Sequence, residues 1–328
     1  MYRSIIVPLD GSARSQAALP VAAAFAHQTG AALDLVRVHL EERPDLDDDP
    51  SWDAMFREGE MRYLESLALA YEGIAGTGVT TALLDPPVVQ SLIEFAETRD
   101  APLFIMAGRG RTGIRRAFLG STCDALIRNG KTPVLVLRDR GPDEPPTWRF
   151  GKRPFARIVL PLDGSTLAEG GIAHAVAIAS ATGGRLRLVR VIGPMVTSAV
   201  LGTFAMHPIW NEDANNRNDV AEEYVQGIVD RIKASNPNIE VNTEVALSAD
   251  PASAIIESCR RMAADLVVIP THGRGASRVL AAAVGDRLLR DGPDALLFVK
   301  PVPSRLPAGL SQSGRETTSN TPVPELVS

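Results

Sequence analysis

Two stretches of this chain carry residue types suited to a ligand site, the first of them to holding an anion. The first is Met106-Ala107-Gly108-Arg109-Gly110-Arg111-Thr112-Gly113, followed after a short basic and apolar stretch by Gly120-Ser121-Thr122. Glycines let backbone approach a ligand closely, and amides at the start of a following helix point the same way, which makes a phosphate cradle. Arg109, Arg111, Arg115 and Arg116 add positive charge. A surface loop with solvated arginines has the same composition, and spacing alone leaves both readings standing. The second stretch is Ile5-Ile6-Val7-Pro8-Leu9-Asp10-Gly11-Ser12. An apolar run closed by an acid and a glycine reads as a buried parallel strand ending at a turn, with Ser12 as N-cap of the next helix. Strand, sharp turn and helix start is where open α/β sheets bind ligands.

Other polar groups carry less. Gly130-Lys131-Thr132 has the tail of a phosphate-loop motif, but Ala125 stands where its first glycine belongs, and the tripeptide follows a helix and precedes a strand. His272 has no nucleophile or acid paired with it in sequence, and His27, His39, His174 and His207 show no metal spacing. Cys123 and Cys259 are isolated in separate halves, as small buried apolar residues in a reducing compartment are.

The elements that must position these residues come twice. Ile158-Val159-Leu160-Pro161-Leu162-Asp163-Gly164-Ser165 repeats the first strand and turn at an offset of 153 residues, and Val191 repeats Val38 at the same offset. Ala17, Ala18, Val21, Ala22 and Phe25 recur at helical spacing after Ser12, and Thr29-Gly30, repeated as Thr182-Gly183, ends that helix. The first half then predicts strands at 33–38, 79–84, 103–107 and 134–137, with helices near 52–72, 88–98 and 116–128. Five strands separated by helices make a doubly wound parallel sheet. Gly110 matches Gly273 at an offset of 163, so about ten residues are inserted in the second half. They fall in the apolar loop 193–212, read as packing against the other half in preference to a lid.

Length and composition agree with two soluble units. The 328 residues are 45% apolar and 22% charged, with a formal net charge of −5, which argues against a protein built to coat nucleic acid. No apolar run approaches a membrane span and no leader precedes Ile5, so the expectation is a cytoplasmic protein without a membrane partner. Residues 139–154, rich in proline, read as a linker between units 1–138 and 155–300, and 301–328 as a disordered tail.

The strand ending in Pro-x-Asp-Gly-Ser, together with a fourth strand leading into Gly-x-x-Gly, nine residues and Gly-Ser, resembles the universal stress protein family. The resemblance covers both halves, so the chain looks like a tandem member. It implies two five-stranded sheets of order 3-2-1-4-5, of the adenine nucleotide alpha hydrolase type, that bind ATP or another adenine nucleotide, with Mg as an optional companion. By the family's pattern the adenosine lies around Asp10 and Val38, with Pro8 and Met106 at the same strand ends. Ribose and phosphates fall to Ala107, Gly108, Gly110, Gly120, Ser121 and Thr122. Only Ala107 departs from the motif, where its leading glycine is expected.

The second half keeps Asp163, Val191, Ile269 and Gly273, but Pro270 stands where the motif begins and Ala283-Val284 where Gly-Ser belongs. The resemblance therefore implies weak binding there or none. No hydrolytic constellation is evident, so the expected role is a stress-response sensor or regulator, at most a weak ATPase, with a protein partner the sequence does not name. The rival reading is an interaction module that keeps the fold without nucleotide. In a 3-2-1-4-5 sheet the fifth strand is an edge, and both fifth strands are apolar throughout. Strand 134–137 is expected to pair antiparallel with 296–299 inside one chain, as an intramolecular pseudo-dimer that leaves homodimers open.

Overall fold

A computed structural model describes residues 2–40, 50–108, 119–138, 153–193, 213–271 and 278–300. The first half runs β1 (Ser4–Pro8), α1 (Ala13–Gln16), α2 (Leu19–Thr29), β2 (Ala32–Val38), α3 (Pro50–Ala75), β3 (Val79–Leu84), α4 (Val88–Glu97), β4 (Pro102–Gly108), α5 (Ser121–Asn129) and β5 (Val134–Arg138). The second runs β6 (Arg157–Leu162), α6 (Thr166–Glu169), α7 (Ile172–Thr182), β7 (Arg185–Ile192), α8 (Asp213–Ser235), β8 (Glu240–Leu247), α9 (Pro251–Met262), β9 (Leu266–Pro270), α10 (Arg278–Asp291) and β10 (Ala295–Val299).

Each half has the expected 3-2-1-4-5 order, but the two sheets are not separate. They form one ten-stranded sheet, β3-β2-β1-β4-β5-β10-β9-β6-β7-β8. All pairings are parallel except the central one, where Leu296 faces Val136, Leu297 faces Leu135 and Phe298 faces Val134 in antiparallel register. This is the pairing the apolar fifth strands call for, since each edge covers the other's unpaired amides and carbonyls. The Arg138 amide donates to the Asp294 carbonyl at 2.8 Å, and Lys300 Nζ to the Arg128 carbonyl at 2.9 Å.

Successive strand residues point to opposite faces, and both faces are covered. One layer holds Ile5, Leu33, Leu103 and Leu135 with Phe25 of α2, and continues through Leu297 into Leu160, Leu186 and Ile178 of α7. The other holds Ile6, Val36, Phe104 and Val136 against Leu92 and Leu126, and continues through Leu296 to Val159, Val267 and Ile256. Each fully buried leucine, isoleucine or phenylalanine contributes roughly 1.5–3 kcal/mol. Phe25 and Phe155 meet edge to face at the seam, with ring centroids 5.3 Å apart.

Helix boundaries depart from expectation where glycine and proline act. The single helix expected after Ser12 is two, α1 and α2, because Pro20 sits in the first turn of α2 and has no N–H to give the preceding turn. In the second half Gly170 and Gly171 mark the same break. Helix α3 extends beyond 52–72 at both ends. Of the helix expected over 116–128, the described part is Ser121–Asn129, preceded by Gly120 at φ of +90°, while residues 116–118 lie outside the described residues. Thr29-Gly30 and Thr182-Gly183 end α2 and α7 as expected, and the glycines cap them in the left-handed conformation. The linker (139–152), the inserted loop (194–212), the tail (301–328), the arginine-rich loop (109–118) and His272 lie outside the described residues.

Candidate nucleotide site

A cavity of about 370 Å3 opens at the carboxyl ends of β1, β2 and β4, the position the strand-turn-helix pattern marks. Its lining brings together Pro8, Asp10, Val38, Met106, Ala107, Gly120, Ser121 and Thr122. Gly108 is not in the wall. It is buried at the end of β4, where an added Cβ would stand 2.7 Å from Val136 Cγ1, so its missing side chain serves strand packing. Gly110 lies outside the described residues.

The acid is set by its turn. Gly11 takes φ of +83°, a conformation that favours glycine, and folds Ser12 back onto Asp10. The Ser12 amide donates to Asp10 Oδ1 at 2.9 Å and its hydroxyl at 2.6 Å, while Ser12 Oγ accepts from the Ser15 amide at 3.2 Å as the N-cap. Burial alone would raise the Asp10 carboxyl, but hydrogen bonds from Ser12 and Ser15 outweigh it and hold it below the ordinary carboxylate range. Opposite, Ser121 and Thr122 open α5, whose first amides have no helical acceptor. A Cβ built on Gly120 meets no atom of the described residues within 4 Å, so the space is open on their side. An anion donor set and a carboxylate therefore face one cavity.

Sequence reasoning missed Arg37. It lines the cavity, and a Cβ on Gly11 would stand 2.6 Å from its Nη1. Its Nε donates to Glu60 Oε1 at 2.7 Å and its guanidinium lies 5.8 Å from the centre of the Tyr63 ring. The arrangement repeats with Arg190 beside Gly164 and Tyr224, so the signal available was an arginine recurring at offset 153 inside apolar strands. The first half adds His39, buried at the end of β2 with Nδ1 2.7 Å from Glu60 Oε2 and Nε2 2.8 Å from Asp53 Oδ1. Arg57 continues the chain, bonding Asp53 at 2.8 Å and Asp85 at 2.7 Å. These pairs tie α3 to the strand end that carries Arg37 and Val38. The second half has Ile192 in place of His39.

In that half the turn is kept and the helix start is not. Gly164 has φ of +84°, and the Ser165 amide and hydroxyl donate to Asp163 at 2.9 and 2.5 Å. As at Asp10, burial raises and serine hydrogen bonds lower the Asp163 carboxyl, with a net depression. Val191 lies near the end of β7, and Ile269 is buried in a core layer. Gly273 lies outside the described residues. Helix α10 begins at Arg278, so Ala283 and Val284 fall inside it, where the first half has the positive-φ glycine and the opening of α5. Cys123, in the cavity wall, and Cys259 are both buried, and burial pushes each thiol up to about 12. Among the described residues there is no cluster of three or more metal-ligating side chains, and no helix long and apolar enough to cross a membrane.

The chain is similar over nearly its whole length to known proteins. A universal stress protein of Mycolicibacterium smegmatis is 26% identical over 305 residues, spanning 90% of this chain and 97% of that one. One from Methanocaldococcus jannaschii is 30% identical over 144 residues, 42% of this chain and 83% of its own length. A solved universal stress protein from Archaeoglobus fulgidus superposes with a TM-score of 0.67 at 18% identity, covering 92% of this chain and all of that one, a likeness of fold. The pattern of the universal stress protein family matches residues 1–138 and again residues 154–300. With both halves matched, the chain belongs to the universal stress protein family, as a tandem member whose two copies share one sheet.

Proposed function

We propose that this protein binds ATP or a related adenine nucleotide in the first-half cavity and acts as a nucleotide-responsive regulator of the stress response, with hydrolysis slow or absent. The observation that carries the reading is the open start of α5 at Gly120-Ser121-Thr122 facing Asp10 across a cavity of about 370 Å3. That volume is within the roughly 300–1,000 Å3 of small-molecule sites. Helix amides and serine and threonine hydroxyls suit phosphate oxygens, and Asp10 suits a ribose or adenine donor. Val38 and Met106 supply apolar walls for the base. Mg would arrive on the phosphates, held by them and at most a carboxylate.

The second half, with Ala283 and Val284 inside α10, is the weaker site or none, and serves to complete the sheet. In this reading residues 1–138 and 155–300 are two units joined by 139–154, acting in the cytoplasm through a protein partner. Nucleotide released by heating purified full-length protein, identified by chromatography, tests the ligand class, and calorimetry with ATP tests the count. The expected result is one strong site per chain. Two equal sites, or none for any adenine nucleotide, would overturn it. The full chain is the right material, because separated halves would expose β5 and β10.

A further inference from the structure

A second cavity, of about 440 Å3, lies at the amino ends of the strands, away from the site above. Pro102 and Pro133 wall it from the starts of β4 and β5, Tyr2 enters ahead of β1, and His174 and Ala177 come from α7 of the other half. It is a seam cavity, completed only when both halves are in place.

The two sides of the seam are built differently. At the offset of 153, Tyr2 corresponds to Phe155 and His174 to Val21. Phe155 is fully buried and packs on Phe25. Tyr2 instead meets His174, hydroxyl to Nδ1 at 2.7 Å, with ring centroids 5.8 Å apart and planes 23° from parallel. Packing needs only the phenylalanine version. The Tyr2–His174 pair adds one hydrogen-bonding point to a largely apolar wall, the pattern by which small-molecule sites fix orientation.

Two cations that line the cavity have acidic neighbours. Lys131 lies 3.6 Å from Glu97, and Arg99 bonds Asp34 at 3.1 Å. Burial drives the His174 imidazole down to about 4 and raises the Tyr2 phenol, so both are neutral at ordinary pH. Setting a charge against prolines and alanines costs desolvation, whereas a flat neutral ring finds those residues and the stacked aromatic pair at the apolar part of the wall.

We propose that the seam cavity is a second binding site, for a small neutral aromatic molecule bearing one hydroxyl or similar hydrogen-bonding group. The group meets Tyr2 and His174 while the ring lies against Pro102, Pro133 and Ala177. Because it touches both halves, the ligand tightens the seam. This site is independent of the nucleotide reading and stands or falls separately from it.

The probe is 4-methylphenol, titrated into the full chain with the His174 ring signals followed by nuclear magnetic resonance. Saturable binding with Kd of about 1 mM is expected for a molecule of this size. Ala177→Phe fills the cavity and abolishes the shifts. Tyr2→Phe, which places the residue found at 155, weakens binding about 5-fold. The charged analogue 4-methylbenzoate binds at least ~10-fold more weakly. Absence of saturation below ~20 mM overturns the site. So does binding unchanged by Tyr2→Phe and Ala177→Phe, or equal binding of the benzoate. If Ala177→Phe does not fold, Tyr2→Phe and the benzoate comparison decide.

Discussion

Leu135 stands directly opposite Leu297 across the antiparallel centre of the sheet, and both are fully buried. Truncating either, as in Leu297→Ala, should cost about 2–5 kcal/mol, read from urea unfolding. Leu135→Lys with Leu297→Lys buries two like charges face to face and should separate the halves. The sign would be rapid protease cleavage between residues 139 and 152. A double variant as resistant as wild type would mean that the seam does not hold the halves together.

Gly120→Val tests the cradle. At φ of +90° a branched residue is strained by roughly 1–3 kcal/mol, yet a Cβ there meets no atom of the described residues within 4 Å. The variant should fold with a modestly lowered melting temperature and bind ATP at least ~10-fold more weakly. Normal calorimetric affinity would move the phosphate site elsewhere.

His39→Ala removes the group between Glu60 and Asp53. Two carboxylates then lose their shared partner, and the end of β2 loses its tie to α3. The expected loss is about 2–3 kcal/mol in unfolding free energy, with weaker ATP binding because Arg37 and Val38 are less firmly held. A loss confined to stability, with ATP affinity unchanged, would uncouple this network from the site.

Asp163 has its carboxyl depressed by serine hydrogen bonds, so the folded protein holds its proton less tightly than the unfolded chain. Its contribution is present above the unfolded carboxylate value, about 3.9, and is lost as pH falls through the lower folded value. Asp163→Ala should therefore be less stable than wild type near neutrality, with the gap closing in acid. Melting curves from pH 7 to pH 3 measure it. A gap that widens on acidification would contradict the assignment.

The fold was legible because the chain states it twice. Asp10-Gly11-Ser12 and Asp163-Gly164-Ser165 mark the same turn, and Val134–Arg138 and Ala295–Val299 are too apolar to be left as free edges. What escaped reading depends on contacts between distant segments. Gly108 has the composition of a ligand glycine, but its neighbour is Val136, which only the β4–β5 register brings near. Arg37 looks like a surface residue until its strand places it beside Gly11. The positive φ of Gly120 just before α5 is a property of its position, which its residue type permits and does not announce.

The antiparallel join also sets a timetable for synthesis. Strand β5 leaves the ribosome with its outer edge unpaired, and its partner β10, the last of the described strands in chain order, is made roughly 160 residues later. At about 5–20 residues per second that wait lasts on the order of 8–30 s. Throughout it Val134, Leu135, Val136 and Leu137 form an uncovered apolar edge, the kind of strand that pairs with another nascent chain. A ribosome-bound first half should therefore be a client for chaperones, and slowing translation through the second half should increase aggregation of this protein.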